Sequence, residues 1–139
     1  VGIINTILSY PAGTYIGAYN GGFAYTNDAL KQSGGGGTPG SGGVAYGATW
    51  TTNDIIGVAF DADNATLTFY KNGVSQGAAY TGISGINNGY MPAFDFYRST
   101  GTTQYQYINF GQRPFTYTPP TGFLALNTYN LANPSLPLV

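Results

Sequence analysis

Five carboxylates are the first residues in this chain that could carry out chemistry, and all of them are aspartates. They are Asp28, Asp54, Asp61, Asp63 and Asp95. The segment 61–64, Asp-Ala-Asp-Asn, resembles the start of a calcium-binding loop, but such a loop needs glycine at its sixth position and a bidentate glutamate at its twelfth. Thr66 and Asn72 occupy those positions here. We therefore favour a tight polar turn over a metal site, with a loose surface calcium site as the alternative.

Asp95 differs from the other aspartates because it lies within a predicted strand rather than in a turn or at a strand end. Glycoside hydrolysis needs a pair of carboxylates, and an aspartate in a turn usually bonds to its own backbone. We therefore expect no enzyme, and keep a weak glycan hydrolase that uses Asp95 as an alternative. The chain has no histidine, cysteine or glutamate, which excludes serine–histidine–aspartate, thiolate and zinc–water chemistry.

The low charge of the chain narrows the function classes further. Only 6% of the residues are charged and the formal net charge is −1. No basic stripe is available to neutralise phosphates, so we expect no nucleic-acid binding. No apolar run approaches the ~20 residues of a membrane span, so we expect no membrane insertion. The glycine run 34–37 is not a phosphate loop, since no Gly-Lys-Ser/Thr and no helix follow it, and we expect no cofactor.

The elements that position these residues are predicted to be short strands. In 54–73, Val58 and Phe60 alternate with small or polar residues, and Leu67 and Phe69 do the same, which is typical of a hairpin with one buried face. Further strands are predicted at 1–9, 15–19, 23–26, 44–50, 77–80, 90–97 and 104–110, and Pro92 indicates a strand start or a sheet edge. A single helical turn is expected around 28–32, and the Gly/Ser-rich segment 31–43 is expected to be a flexible surface loop. This pattern predicts an all-β antiparallel sandwich.

Four blocks of the sequence, in this order, resemble the SPRY domain. They are Asn53-Asp54-Ile55-Ile56-Gly57-Val58 with Asp61, then Leu67-Thr68-Phe69-Tyr70-Lys71-Asn72-Gly73, then Tyr90-Met91-Pro92-Ala93, and then Asn109-Phe110-Gly111-Gln112 with Pro114-Phe115. Asn53 stands where the family commonly has glycine, and Met91 interrupts the family's Tyr-Pro pair. The start of the chain, Val1-Gly2-Ile3-Ile4, is similar to an early family strand, so we expect the strand or strands that normally precede it to be missing. The tail from Tyr117 resembles tails that follow SPRY repeats in bacteriophage structural and tail-associated proteins.

The resemblance implies a bent, jelly-roll-like sandwich over 1–116, followed by an irregular proline-containing tail, 117–139, that packs on the body. It also implies a non-catalytic module that recognises partners through loops at one end. We expect a bacteriophage particle protein of the fibre, tail or surface-decorating kind, located in the virion or otherwise extracellular. Its expected partners are other virion proteins or a host-surface protein or glycan, with homo-oligomerisation left open. A lectin-like protein and an intracellular adaptor are the alternatives.

Aromatic residues are the predicted source of binding energy. Most of the 13 tyrosines and 8 phenylalanines are expected in the core or in cross-strand pairs. Tyrosine in loops rich in Asn, Ser and Gly is also well suited to recognition, because it offers a large contact area at low entropic cost. The loops 20–28, 31–43, 82–89 and 98–103 are the predicted contact segments. The candidate ligand-binding residues are Tyr25, Trp50, Tyr90, Asp95, Arg98 and Tyr105.

Overall fold

The structure is a computed structural model that describes residues 1–6, 15–18, 20–34, 42–85, 89–95 and 103–130. The chain forms two compact units, Val1–Thr102 and Thr103–Val139. Among the described residues, no helix is long and apolar enough to cross a membrane. The predicted boundary between a sandwich, 1–116, and a tail that packs on it stays a prediction.

The first unit contains two antiparallel β-sheets. One sheet has the strand order β4-β3-β2-β1-β8, and the other has the order β5-β6-β7. The strands are β1 (Gly2–Asn5), β2 (Gly22–Tyr25), β3 (Leu30–Ser33), β4 (Val44–Ala45), β5 (Ile56–Asp61), β6 (Thr66–Lys71), β7 (Val74–Tyr80) and β8 (Tyr90–Ala93). The predicted all-β antiparallel sandwich is confirmed. Pro92 lies in β8, at an edge of its sheet, as its missing N–H predicts.

The core of the first unit lies between the two sheets. Ile3 and Tyr25 from the first sheet are buried in one cluster with Leu67, Phe69 and Ala79 from the second. The predicted hairpin is confirmed, because Phe69 pairs with Val58 and Leu67 pairs with Phe60 across β5 and β6. The period-two alternation holds in β6, where Leu67 and Phe69 are buried. In β5 it holds only in part, because Phe60 packs against the core while Val58 is 40% exposed and Ala59 is buried. The predicted turn between these strands is also present, since both carboxylate oxygens of Asp61 accept hydrogen bonds from Asn64.

A second, smaller apolar cluster covers the opposite face of the first sheet. Ile16 packs there against Ala24 and Ala93, and Ile4 contacts the same cluster. The strand predicted at 15–19 is wrong, because Ile16–Ala18 form a 3₁₀ turn that lies over this sheet. This close approach requires glycine at position 17, since a Cβ on Gly17 would lie 2.4 Å from the Cβ of Gln32.

Other local predictions are wrong for a related reason. In the segment 28–32, expected to contain a helical turn, residues 30–32 belong instead to strand β3, where Lys31 pairs with Tyr25 of β2. The first three residues of the predicted flexible loop 31–43 also belong to β3, and 35–41 lie outside the described residues. Only Val44–Ala45 of the strand predicted at 44–50 pair with a neighbour. Pairing with β2 decides the structure of β3, and pairing with β3 decides that of β4, because the residue types of these short segments favour strand and turn about equally.

The second unit has a different local structure. The described residues 103–130 contain no strand, so the strand predicted at 104–110 is wrong. A turn centred on Asn109 follows this extended segment: the Asn109 Oδ1 accepts from the backbone N–H of Gly111 at 3.0 Å, and its Nδ2 donates to the carbonyl oxygen of Arg113 at 3.1 Å. This turn packs on Ala125, whose Cβ would lie 2.6 Å from a Cβ at Gly111.

Candidate recognition surface

One end of the sandwich carries a long loop, residues 46–54, which we call the Trp50 loop. It connects β4 to β5 and lies beside two tighter turns. The turn 26–29 joins β2 to β3, and the turn 72–73 joins β6 to β7. Both sheets therefore contribute a connection to the same end of the first unit.

The first sheet holds the Trp50 loop through backbone groups of the turn 26–29 and through one tyrosine. The Tyr46 N–H donates to the carbonyl oxygen of Ala29 at 2.8 Å, and the Trp50 N–H donates to that of Asn27 at 3.1 Å. The hydroxyl of Tyr25 donates to the carbonyl oxygen of Ala48. These contacts satisfy polar groups of the loop backbone that would otherwise need water.

The second sheet holds the same loop through long polar side chains. The Ala48 N–H donates to the Gln76 Oε1 at 2.9 Å, and the Lys71 Nζ donates to the carbonyl oxygen of Thr49 at 2.8 Å. Gln76 is in β7 and Lys71 ends β6, so each strand of this pair fixes one point of the loop. A loop bonded to both sheets at consecutive residues has little freedom to change its backbone.

Asp54 closes the Trp50 loop where it enters β5. Its Oδ2 accepts from the backbone N–H of Thr51 at 2.9 Å, and its Oδ1 accepts from the Asn72 Nδ2 at 2.7 Å. The Lys71 Nζ lies 3.4 Å from the same carboxylate. The Thr51 N–H and then the Asn72 amide hold the pKa of Asp54 below its usual value, because both donate to the ionised form. Asp54 is therefore a structural anion that joins the loop to the turn 72–73.

A bulge in β7 lies next to this loop. Gln76 and Gly77 together oppose Phe69 of β6, since Ala78 pairs with Thr68 and Ser75 pairs with Tyr70. Gly77 has φ of +83°, which glycine adopts without strain. The hydroxyl of Tyr46 accepts from the Phe69 N–H at 3.3 Å and donates to the Gly77 carbonyl oxygen at 2.7 Å. A side chain from the Trp50 loop thus replaces the ladder bonds that the bulge removes.

Lys31 has a comparable role two residues further along β7. Its Nζ donates to the carbonyl oxygen of Ala79 at 2.5 Å and lies 5.4 Å from the centre of the Tyr80 ring and 5.8 Å from that of Tyr46. The ammonium therefore gains from both tyrosine faces while it bonds a strand-edge carbonyl. Tyr46 and Lys31 together tie β7 to the first sheet.

The side chains that the Trp50 loop presents to solvent are small, polar or apolar and carry little charge. Thr51, Thr52 and Asn53 of the loop are exposed. Beside them, Asn27 of the turn 26–29 is exposed and Ile55, which follows the loop, is 43% exposed. Asn53 has φ of +71°, a conformation that asparagine tolerates better than most residues. That tolerance explains how asparagine can stand where SPRY domains commonly have glycine.

Trp50 and Tyr25 are the two predicted ligand-binding residues that the structure brings together. Their rings contact each other edge to face, with centroids 6.3 Å apart. Tyr25 is completely buried, so its ring belongs to the core and offers no surface to a partner. Burial raises the pKa of its hydroxyl. Trp50 is half-buried, and its Nε1 is buried with no hydrogen-bond partner among the described residues.

The other predicted residues lie elsewhere. Tyr90 begins β8 at the opposite end of the sandwich, where it packs on Phe60 with ring centroids 5.5 Å apart and donates to the Ser84 carbonyl oxygen at 2.8 Å. The Asp95 Oδ2 accepts from the backbone N–H of Ile16 at 2.9 Å, which ties the 3₁₀ turn to the first sheet. Tyr105 is 80% exposed and belongs to the second unit. Arg98 lies outside the described residues.

The predicted contact segments are also spread over the first unit. Residues 22–25 of the segment 20–28 form β2, and only 82–85 and 89 of the segment 82–89 are described. Of the segment 98–103, Thr103 alone is described. Sequence reasoning missed the roles of Tyr46, Lys71 and Gln76. One signal was available. The hairpin predicted at 54–73 places the strand start at Asp54 beside the turn at Asn72, so polar side chains at these two points lie near one another.

Comparison with known proteins identifies the fold. The family model of the SPRY domain matches residues 1–113. This chain belongs to the SPRY domain family. SPRY domains mediate protein–protein binding. The matched region includes the Trp50 loop and the eight strands of the described residues.

Three curated relatives share a segment of this SPRY domain. The chain is 40% identical over 83 residues to the E3 ubiquitin-protein ligase RKP of Arabidopsis thaliana, which is 58% of this chain and 6% of the ligase. It is 35% identical over 82 residues to the ATP-dependent RNA helicase DDX1 of Xenopus laevis, covering 59% of this chain and 10% of the helicase. It is 32% identical over 74 residues to the dual specificity protein kinase splA of Dictyostelium discoideum, covering 53% of this chain and 3% of the kinase. The chain therefore spans a tenth or less of these relatives.

Proposed function

We propose that this SPRY domain is a non-catalytic recognition module that binds a protein partner through the Trp50 loop and the adjoining turns 26–29 and 72–73. The observation that carries the proposal is the attachment of this loop to both sheets. Tyr25 and Lys71 donate to the carbonyl oxygens of Ala48 and Thr49, and Gln76 accepts from the Ala48 N–H.

The attachment matters because binding is weakened by the entropy lost when a loop becomes ordered. A loop that is already ordered in the free protein avoids most of that loss. Thr51, Thr52 and Asn53 offer hydroxyl and amide groups to a partner, and Ile55 offers apolar area beside them. This mixture of adaptable polar groups and apolar area is typical of recognition loops.

The surroundings of the carboxylates support a module without catalytic activity. Asp54 and Asp61 accept hydrogen bonds from neighbouring backbone and amide groups, and Asp28 accepts one from the Thr26 hydroxyl. Asp95, the residue on which a glycan hydrolase would depend, accepts from the Ile16 N–H. Each of these carboxylates has a structural partner, whereas a general acid or base needs access to a substrate proton.

We further propose that the module belongs to a bacteriophage particle, as a segment of a fibre, tail or surface-decorating protein, with virion proteins or a host-surface protein or glycan as partners. The support is the 6% charged composition, the abundance of tyrosine and glycine, and the resemblance of the tail from Tyr117 to those of phage structural proteins. A recognition domain within a larger eukaryotic protein is the second candidate. The similarity to the plant ligase, the amoebal kinase and the frog helicase favours it.

The binding proposal is tested with a pair of matched variants. Thr52→Arg adds a large charged side chain to the Trp50 loop, and Ala62→Arg adds the same side chain to the exposed turn between β5 and β6, at the other end of the sandwich. Wild type and both variants are immobilised and presented with host-envelope proteins and virion proteins. Each protein is also applied in solution to a glycan array. We expect Thr52→Arg to weaken retention of a protein ligand by about tenfold or more, and Ala62→Arg to retain it as wild type does.

Equal retention by the three proteins would contradict the assignment of the Trp50 loop. Retention by the glycan array alone, lost in Thr52→Arg, would favour the lectin-like alternative. The particle proposal is tested separately, by the mass of the native assembly that contains this chain and by its full reading frame. A particle protein in a phage supports the first candidate, and a SPRY segment of a eukaryotic multidomain protein supports the second.

A further inference from the structure

Two Asn-Gly pairs in the described residues differ sharply in their surroundings. They are Asn20-Gly21 and Asn72-Gly73, and a third pair, Asn88-Gly89, has its asparagine outside the described residues. In such a pair the backbone nitrogen of the glycine can attack the side-chain amide carbon of the asparagine. Glycine favours this attack because it has no Cβ to obstruct the approach and because its backbone is permissive. Local structure then decides which pair reacts.

The side chain of Asn72 is held on both of its polar atoms. Its Oδ1 accepts from the Ile55 N–H at 2.8 Å, and its Nδ2 donates to the Asp54 Oδ1 at 2.7 Å. Its backbone N–H also donates to the Ile55 carbonyl oxygen at 2.8 Å. The amide carbon cannot turn towards the nitrogen of Gly73 unless these bonds break, and breaking them detaches the turn 72–73 from the Trp50 loop.

Asn20 has none of these restraints within the portion of the chain that the structure describes. The residue is exposed, and its side-chain amide has no hydrogen bond to any described residue. It lies in the turn that enters β2, and Gly21 has φ of +90°. The carbonyl oxygen of Gly21 accepts from the Asn5 N–H at 2.9 Å. This bond holds the backbone on the C-terminal side of Gly21 and leaves the Asn20 side chain unrestrained.

We propose that Asn20 is a site of spontaneous deamidation in the folded protein, and that the fold protects Asn72. The Gly21 nitrogen forms a bond to the Asn20 amide carbon and loses its proton, and ammonia leaves, which produces a cyclic succinimide. Water then opens either carbonyl of the ring and yields aspartate or isoaspartate. The reaction consumes one water and releases one ammonia, and no oxidant or cofactor takes part.

The consequence is a change of charge and, for isoaspartate, of main-chain length at one end of the sandwich. Each event adds a negative charge to a chain whose formal net charge is −1. Isoaspartate inserts a methylene group into the backbone directly before Gly21, whose carbonyl bonds Asn5 of β1. This site lies at the end opposite the Trp50 loop, so the inference stands or fails independently of the proposed binding function.

The test compares the two asparagines in one sample. The protein is incubated at mildly alkaline pH and physiological temperature, digested, and the peptides containing Asn20 and Asn72 are quantified by mass spectrometry with separation of aspartate from isoaspartate. A parallel sample in concentrated urea gives the rates of the unfolded chain. We expect Asn20 to react in the folded protein at least about tenfold faster than Asn72, because two amide hydrogen bonds oppose the second reaction, and the two rates to converge in urea.

Two variants sharpen the comparison. Asn20→Gln should abolish the product at this position, and Asp54→Ala, which removes the acceptor of the Asn72 amide, should raise the rate at Asn72 towards its value in urea. Equal rates in the folded protein, or the same ratio in the folded protein and in urea, would overturn the proposal. An unreactive Asn20 in the folded protein would do so as well.

Discussion

The hydroxyl of Tyr46 donates a hydrogen bond to the carbonyl oxygen of Gly77 at 2.7 Å. Tyr46 opens the Trp50 loop next to the first sheet, and Gly77 is the bulged residue of β7 in the second. The same hydroxyl accepts from the Phe69 N–H at 3.3 Å. One atom therefore satisfies a donor on β6 and an acceptor on β7 where the ladder between them is interrupted, and it places Gln76 beside the loop that Gln76 bonds.

Tyr46→Phe should destabilise the protein by about 1–3 kcal/mol, because it keeps the buried ring but leaves the Phe69 N–H and the Gly77 carbonyl unpaired. Urea unfolding of the variant measures this. Tyr70→Phe is a matched control, since Tyr70 is half-buried and its hydroxyl makes no hydrogen bond to the described residues. We expect the control to change the free energy of unfolding by less than about 0.5 kcal/mol. Equal losses in the two variants would show that the bridge contributes nothing.

Gln76→Ala should loosen the Trp50 loop while leaving the sandwich folded. The variant removes the acceptor of the Ala48 N–H, and Gln76 itself is only half-buried. Native-state hydrogen exchange should speed up at Ala48 by about tenfold, while the amides of β6 keep their protection. Faster exchange throughout both sheets would instead mean that Gln76 supports global stability, and unchanged exchange at Ala48 would mean that the loop is held without it.

Acid should destabilise this protein through Asp54 and Asp61. Hydrogen bonds from Thr51 and Asn72 lower the pKa of Asp54, and those from the Asn64 side chain and backbone lower the pKa of Asp61. A carboxyl whose pKa is lower in the folded state stabilises the protein at a pH above the pKa of the unfolded chain, about 3.9. That stabilisation is lost as the pH falls through the pKa of the folded state. The urea concentration at the midpoint of unfolding should therefore not change with pH near neutrality and should decrease below about pH 4. The decrease should be smaller in Asp54→Asn. An identical decline in that variant would remove Asp54 from the explanation.

Alkaline conditions should destabilise the protein for the opposite reason. Burial raises the pKa values of Tyr25, Tyr46 and Tyr80 above that of a free tyrosine. The folded state then keeps protons that the unfolded chain releases, so stability is fully present below about pH 10 and falls as pH rises further. Tyrosinate absorbance should show one group of tyrosines that ionises readily and another that ionises only when the protein unfolds. Circular dichroism detects the unfolding. Ionisation of all tyrosines before any loss of structure would contradict this.

The amino-acid sequence by itself determined which strands have a buried face and where several of the turns lie. Leu67 and Phe69 alternate with threonines, and period two places them on the buried side of β6. The same pattern in β5 was less informative, because Phe60 is half-buried and Val58 is 40% exposed. Asp61 and Asn64 form their turn through local bonds between neighbours. The ordered blocks around Asn53, Asn72, Tyr90 and Asn109 were sufficient to indicate the family, because each lies within a few consecutive residues.

Only the tertiary structure decided which distant groups these elements meet. Tyr25 was predicted to bind a ligand, although most tyrosines were expected in the core, and the packing of the second sheet against β2 buries it. The segments predicted at 15–19 and 28–32 are short enough for either structure. Contact with the first sheet selects a 3₁₀ turn for 16–18 and strand β3 for 30–32. The bonds from Tyr46 to Gly77 and from Ala48 to Gln76 join residues about thirty positions apart. Local periodicity carries no information about such partners, since the free energy that fixes them arises only when the two sheets pack together.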